Sequence, residues 1–347
     1  MLNNSTITGW GHYAPDRVVT NDELAETIDT SDEWIRTRSG IRERHVAGPD
    51  DHTSTMATRA AEMALDRAGL TATDLDLILI ATSSPDYITP PVSSQIQDNL
   101  GARCGAMTLM VGCTGFVYGL VTAHQFIAAG SARTVLVVGA ELISRNLDWE
   151  DRTTCVLFGD GAGAVIMQAT DQEAGVLAHV LGSDGAGHEH LIQRSGGCRI
   201  PPTHESLDAG QNYLRMNGRE VFKFATRTMV ESLSQVMAAV EIGADDIDLF
   251  IPHQANARII EYAVDKAGID PEKVVVNVYR YGNTSAATIP IALSEAFEDG
   301  RAKPGDTLAL VGFGAGLTWA ACLFRLAADP VSPSSAHDHP AVEGLIA

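Results

Sequence analysis

The sequence predicts an α/β fold in which two related halves stack as alternating layers of sheet and helix. Unbroken runs of leucine and β-branched residues point to strands buried on both faces, and the alanine-rich stretches between them have helical length. Two of those runs recur. TATDLDLILIATSS returns as GADDIDLFIPHQAN at an offset of 172, Asp74 against Asp246, and ARTVLVVGAE returns as PGDTLALVGFGAG at an offset of 173, Gly139 against Gly312. Matches at nearly one offset indicate duplication of an α/β unit, at a period far longer than that of a solenoid repeat. With 347 residues, 45% of them hydrophobic, the chain can bury the core that such layers require.

Along the chain, strands are expected at 75–84, 133–142, 273–279 and 306–314. The segment FVYGLVTAHQFIAA is apolar on nearly every side, as a helix can be at the centre of a fold, and Gly130 supplies its stop. In the first half LISRNLDWEDRTTCVLF, residues 142–158, separates VVGAE from GDGAGAVIMQ, whereas VGFGAGLTWAACLFRL in the second half runs straight on. That insert is expected to build part of a site. The halves are expected at 1–172 and 173–327, and 328–347 has the Pro-, Ser- and His-rich composition of a flexible tail.

Composition narrows the function. A formal charge of -20 argues against nucleic acid or an anionic membrane as main partner, so any acidic ligand must meet a local basic patch. The five cysteines, Cys104, Cys113, Cys155, Cys198 and Cys322, form no CxxC pair, which argues against a disulfide scaffold and a cysteine-rich zinc site. No basic segment followed by an apolar stretch opens the chain, and no run approaches the ~18 apolar residues of a membrane span. The expected compartment is a reducing cytoplasm.

Four places can carry chemistry. Cys113, in VGCTGFVYGL, stands at the start of the apolar helix, where the helix dipole favours thiolate over thiol; a buried cysteine is equally a small hydrophobe. His253, in IPHQANARII, follows a strand, at the end of an open sheet where sites form, though a lone histidine there can be a structural hydrogen-bonder. Asn283, in YGNTSAATIP, precedes an alanine-rich helix and could be an N-cap. The turn GFGAGLTW allows close backbone approach but lacks the spacing of a phosphate or dinucleotide loop. The HEH at 188–190 fits no zinc pattern and reads as exposed loop.

These residues, with TNDELAETIDTSDEWIRTRSGIRERH, DRTTCVLFGDGAGA and NGREVFKFA, resemble the ketoacyl synthases of the thiolase fold. Within that fold the resemblance is to the β-ketoacyl-acyl-carrier-protein synthase III family, from about residue 5 to 326. It implies an αβαβα arrangement, an acyltransferase, and Cys113, His253 and Asn283 as acylated nucleophile and catalytic partners, with Phe313 beside the cysteine. It further implies that Trp34 and Arg152 flank the adenine of coenzyme A, that Thr30, Arg38 and Asn256 line the rest of its channel, and that Lys223 and Arg258 meet the carrier protein. The implied partners are acyl-CoA and acyl carrier protein, with neither metal nor redox cofactor, in a homodimer. Backbone amides of Cys113 and of the 314–316 turn would hold the oxyanion.

The sequence departs from the family pattern in places. Thr108 stands where an Asp is usual, and Asp265-Lys266 replaces a basic pair near the carrier-protein surface. In the loop DYITPPVSS, which in the family floors the partner's acyl pocket, Thr89 replaces the bulky aromatic of acetyl-selective members, implying a deeper pocket and longer or more branched primers. Three other readings compete. A related enzyme of secondary metabolism would keep the triad and change the acceptor. A papain-like hydrolase shares the order Cys, His, Asn but lacks the repeat and carries a different cysteine motif. An acyl-CoA binder without chemistry would be expected to have lost one of the three.

Overall fold

A computed structural model describes residues 4–331; most of the segment read as a tail, from 332 on, lies outside the described residues. Nine strands form two large sheets. The first contains β1 (Asn4–Tyr13), β2 (Leu77–Ala81), β3 (Gly105–Leu109), β4 (Thr134–Glu141) and β5 (Gly161–Thr170), in the order β1-β5-β4-β2-β3. The second contains β6 (Gly175–Ser183), β7 (Leu249–Pro252), β8 (Thr307–Gly314) and β9 (Thr318–Arg325), in the order β7-β8-β9-β6. Each sheet repeats one plan: a parallel pair, β2 with β4 and β7 with β8, continued by antiparallel strands.

Seven helices matter to the layers and the site: α1 (Asp32–Ser39), α2 (Thr53–Ala68), α3 (Val92–Leu100), α4 (Gly115–Ala128), α5 (Gly218–Ala239), α6 (Ala257–Ala267) and α7 (Thr288–Glu298). Helices α2 and α3 cover the outer face of the first sheet, α5 and α6 that of the second, and α4 and α7 fill the space between. The result is the αβαβα stack.

Period-two alternation on doubly buried strands sorts the core. On β2 and β4, Leu77, Leu79, Val135 and Val137 face the central helices, joined by Ile251, Leu308 and Leu310 from the second sheet. Their neighbours Ile78, Ile80, Leu136 and Val138 face α2 and α3. Phe116 and Leu120 of α4 are fully buried in the middle layer, as an all-round apolar helix requires. Gly130, with φ 73, follows its C-cap.

Residues 273–279, expected as a strand, are not one. Val274 makes an isolated parallel bridge with Phe250, and Val278–Tyr281 is a short helical turn. Pro252 has no N–H with which to continue the ladder, and the Gln254 side-chain oxygen takes the N–H groups of Asn277 and Val278 at 2.9 and 3.2 Å instead.

The first sheet approaches α7 and the turn before it through glycine. A Cβ on Gly139 would lie 2.2 Å from the Ala286 carbonyl oxygen, and one on Gly163 would lie 2.6 Å from Ile291 N. Gly163→Ala is therefore expected to lift α7 from β5 and destabilise the protein by about 1–3 kcal/mol. A thermal unfolding midpoint unchanged from wild type would refute the close packing.

Candidate active site

Cys113 lies in the 3-10 turn Gly112–Thr114 that opens α4, and is 6% exposed. The end of β8 presses directly on it. A Cβ on Gly314 would lie 2.7 Å from Cys113 N and 3.2 Å from its Cβ, so the glycine of GFGAG is required for contact between backbones from the two halves. His253 follows β7 and donates its backbone N–H to Val311 O at 2.8 Å, continuing the β7–β8 pairing. Asn283 enters on the loop before α7, held by backbone bonds to Leu157 and Gly159 at 2.8 and 3.1 Å. The insert 142–158 thus ends by clamping Asn283, and its Leu157 and Phe158 help to wall the site.

Cys113, His253 and Asn283 line one cavity of about 80 Å³, with Phe313, Gly314, Asn256 and Phe222. Phe313 meets the His253 ring edge-on, centroids 5.1 Å apart. Asn283 Oδ1 accepts from Ser285 N at 2.8 Å, a local turn bond, whereas the N-cap positions of the 3-10 turn and of α7 are taken by Thr284 and Ala287; the Asn283 amide NH2 is left for the cavity. Thr288 Oγ1 lies 2.6 Å from His253 Nδ1. The Thr288 hydroxyl is also 3.0 Å from the Ser285 carbonyl oxygen.

Burial governs the ionisation of both groups. It drives the His253 imidazole down to about 3, so the ring is neutral at any physiological pH. It pushes the Cys113 thiol up to about 12, against the lowering effect of the Ser285 hydroxyl and the backbone N–H groups of Cys113 and Ala315. The expectation of a depressed thiol is corrected here: at a buried thiol, desolvation outweighs the partial charge of a helix terminus. The Glu141 carboxylate, unnoticed in the sequence, raises the thiol further. The signal was present, since an acid closing the otherwise apolar strand VLVVGAE is out of place.

The residues expected around coenzyme A fall on an outer patch. The Trp34 ring has the guanidinium of Arg152 5.2 Å from its centroid and that of Arg38 at 5.6 Å. Thr30 Oγ1 is buried without a hydrogen-bond partner. Asn256 joins patch to cavity, but both ends of its amide are engaged: Oδ1 caps α6 by accepting from Arg258 N at 2.9 Å, and Nδ2 donates to Arg38 O at 3.0 Å. Arg258 lies 5.6 Å from the centroid of the cavity-lining Phe222, whereas the neighbouring Lys223 is paired with Glu220 at 2.8 Å. Thr89 is exposed and does not line the cavity within this chain.

Among the described residues all five cysteines are free, no group of three or more His, Cys, Asp or Glu side chains could hold a metal, and no helix is long and apolar enough to cross a membrane. His188 and Glu189 of the HEH stretch are exposed, in a 3-10 segment.

Residues 107–185 match the family described as 3-oxoacyl-[acyl-carrier-protein] synthase III, and residues 237–326 match its C-terminal region. A β-ketoacyl-[acyl-carrier-protein] synthase III of Symbiobacterium thermophilum is 50% identical over 92% of this chain and 97% of its own. The crystal structure of 3-oxoacyl-[acyl-carrier-protein] synthase III from Aquifex aeolicus superposes with a TM-score of 0.86 at 43% identity, covering 92% of this chain and 99% of that one. The priming β-ketosynthase of the R1128 polyketide pathway superposes with a TM-score of 0.88 at 33% identity, covering 95% and 98%. Half-identity across nearly the whole of both chains, on the same stack of layers, means that this chain belongs to the β-ketoacyl-acyl-carrier-protein synthase III family, condensing acyltransferases of the thiolase fold.

Proposed function

We propose that the protein condenses an acyl-CoA primer with malonyl-acyl-carrier protein to give a 3-ketoacyl-carrier protein, the first step of fatty-acid synthesis, in the cytoplasm. The observation that carries this reading is the convergence of Cys113, His253 and Asn283 on one buried cavity beneath a cationic rim. On this reading the first half, 1–172, supplies the nucleophile, and the second, 173–327, supplies both hydrogen-bonding partners.

Cys113 Sγ attacks the thioester carbonyl, the bond from carbon to the CoA sulfur breaks, and free CoA leaves the acyl group on the enzyme. The N–H groups of Cys113 and of the turn at Ala315 face the sulfur and support the oxyanion. Malonyl-carrier protein then enters. The bond to its carboxylate breaks, CO2 departs, and the enolate oxygen is held by the Asn283 amide and by His253 Nε2. That role requires the ring proton on Nε2, with Nδ1 accepting from the Thr288 hydroxyl in place of the Ser285 carbonyl. The enolate carbon attacks the acyl-Cys113 carbonyl and the thiol is regenerated. Arg38, Arg152 and Arg258 offset the net charge of -20 where the phosphates of the donor and the acidic carrier approach.

The exposed edge strand β3 and the loop before α3 support a homodimer. Ile88 is 82% exposed, Met110 68% and Tyr87 62% in the single chain, an apolar surface suited to a second copy. There Thr89 would floor the partner's pocket and admit primers longer or more branched than acetyl. A priming role in a secondary pathway is favoured by one observation, the likeness to the R1128 ketosynthase, and differs in the acceptor.

Intact-mass analysis after mixing with acetyl-, isobutyryl- and octanoyl-CoA is expected to show an acyl increment on wild type and none on Cys113→Ala. Malonyl-carrier protein should discharge it to the ketoacyl product; an adduct that persists supports the other acceptor, and acetyl-CoA as clearly the best donor refutes the deeper pocket. In an NMR titration, the neutral His253 ring is expected to show no protonation as the pH falls from about 8 to 5, because burial holds its transition near 3; a midpoint near 6.5 would refute this. Sedimentation at micromolar concentration should give a dimer, and Ile88→Asp should yield monomer; a wild-type monomer would sink the shared pocket.

A further inference from the structure

We propose that Ser285 and Glu141 form a proton relay that activates the nucleophile: Ser285 Oγ takes the Cys113 thiol proton while passing its own to the Glu141 carboxylate. The inference rests on Cys113 being acylated, as proposed above, and assigns the acceptor of its proton.

Ser285 Oγ stands 3.3 Å from Cys113 Sγ and 2.9 Å from Glu141 Oε1. One hydroxyl has one proton, so when Ser285 donates to Glu141 the thiol must donate to Ser285, and the three atoms form a directed chain. The surroundings set that direction. Ser84 Oγ accepts from Leu142 N at 2.8 Å, and Thr82 Oγ1 accepts from Ser84 N at 3.1 Å. Their own protons are thereby left for Glu141 Oε2, at 2.5 and 3.3 Å, and Ser83 N donates to the same carboxylate at 3.1 Å. Burial raises the proton affinity of Glu141, while the ring of donors favours its ionised, acceptor-only form, so the group is a carboxylate placed to take a proton.

Glu141 is fully buried and, among the described residues, has no ion-pair partner, an arrangement costly to keep for structure alone. Ser285 is held at φ 50, one of two non-glycine residues with positive φ among those described. Charge balance gives the reason for the chain. Releasing the thiol proton to solvent would leave two anions side by side in one buried site, whereas passing it to Glu141 keeps the count at one.

The step closes without a co-reactant. The proton passes from Sγ to Ser285 Oγ as the Ser285 proton passes to Glu141, and Sγ forms its bond to the acyl carbon. The bond to the CoA sulfur breaks, and the departing thiolate recovers the proton from Glu141 through Ser285.

The test measures acylation of Cys113 by acyl-CoA in quenched single turnovers, and its alkylation by iodoacetamide between about pH 6 and 9, in wild type, Ser285→Ala and Glu141→Gln. Both variants should acylate on the order of 100-fold more slowly. Internal transfer conserves protons, so wild-type alkylation should be nearly flat with pH, while in both variants it should rise about tenfold per unit. His253, the other titratable side chain on the cavity, is neutral throughout that range. Wild-type rates and a flat profile in either variant overturn the relay. If Glu141→Gln fails to fold, Ser285→Ala, which loses a single hydroxyl, decides by its profile. A wild type that accepts no acyl group fails the proposed function instead, and the alkylation profile, which uses no acyl donor, still judges the relay.

Discussion

The structure depends on contacts in which backbone meets backbone across its two halves. Gly314 of the second sheet lies against Cys113 of the first half, and Gly139 and Gly163 of the first sheet lie against the segment from Ala286 to Ile291 of the second. Each contact forbids even a methyl group. Because the embrace is reciprocal, the turn bearing Cys113 and the loop bearing Asn283 are driven to one seam, and β7 delivers His253 beside them. The site is a consequence of how the halves interlock.

That seam is buried, and burial sets its chemistry. Burial favours the neutral form of Cys113 and His253 and raises the proton affinity of Glu141 against the donors that surround its carboxylate, so the pocket works through oriented hydrogen bonds. The cations stand outside, where Arg152 and Arg38 bracket Trp34 and Arg258 covers Phe222. Asn256 links these regions, capping α6 while tying it to the backbone of Arg38.

Much of the fold was legible because strands buried on both faces must be apolar throughout, and helix α4, packed between two sheets, must be apolar all round. The repeat was legible because both halves obey the same constraint. Residues 273–279 had the composition of a strand and failed to become one, since Pro252 and Gln254, neither in that segment, removed its ladder partners. Sequence neighbours likewise gave no means of weighing the helix terminus against burial at Cys113, because desolvation is set by everything packed around the sulfur.

The sequence by itself determined the layered α/β class, the duplication and the apolar central helix, which follow from residue type and periodicity, and it offered Cys113, His253 and Asn283 as candidates whose roles only the family resemblance implied. Tertiary structure alone decided that Cys113, His253 and Asn283 share a cavity, that Ser285 and Glu141 stand behind the thiol, and that the amide oxygen of Asn283 is already taken. The physical reason is distance along the chain: Cys113 and Ser285 are 172 residues apart, and hydrogen bonding and desolvation depend on separation in space.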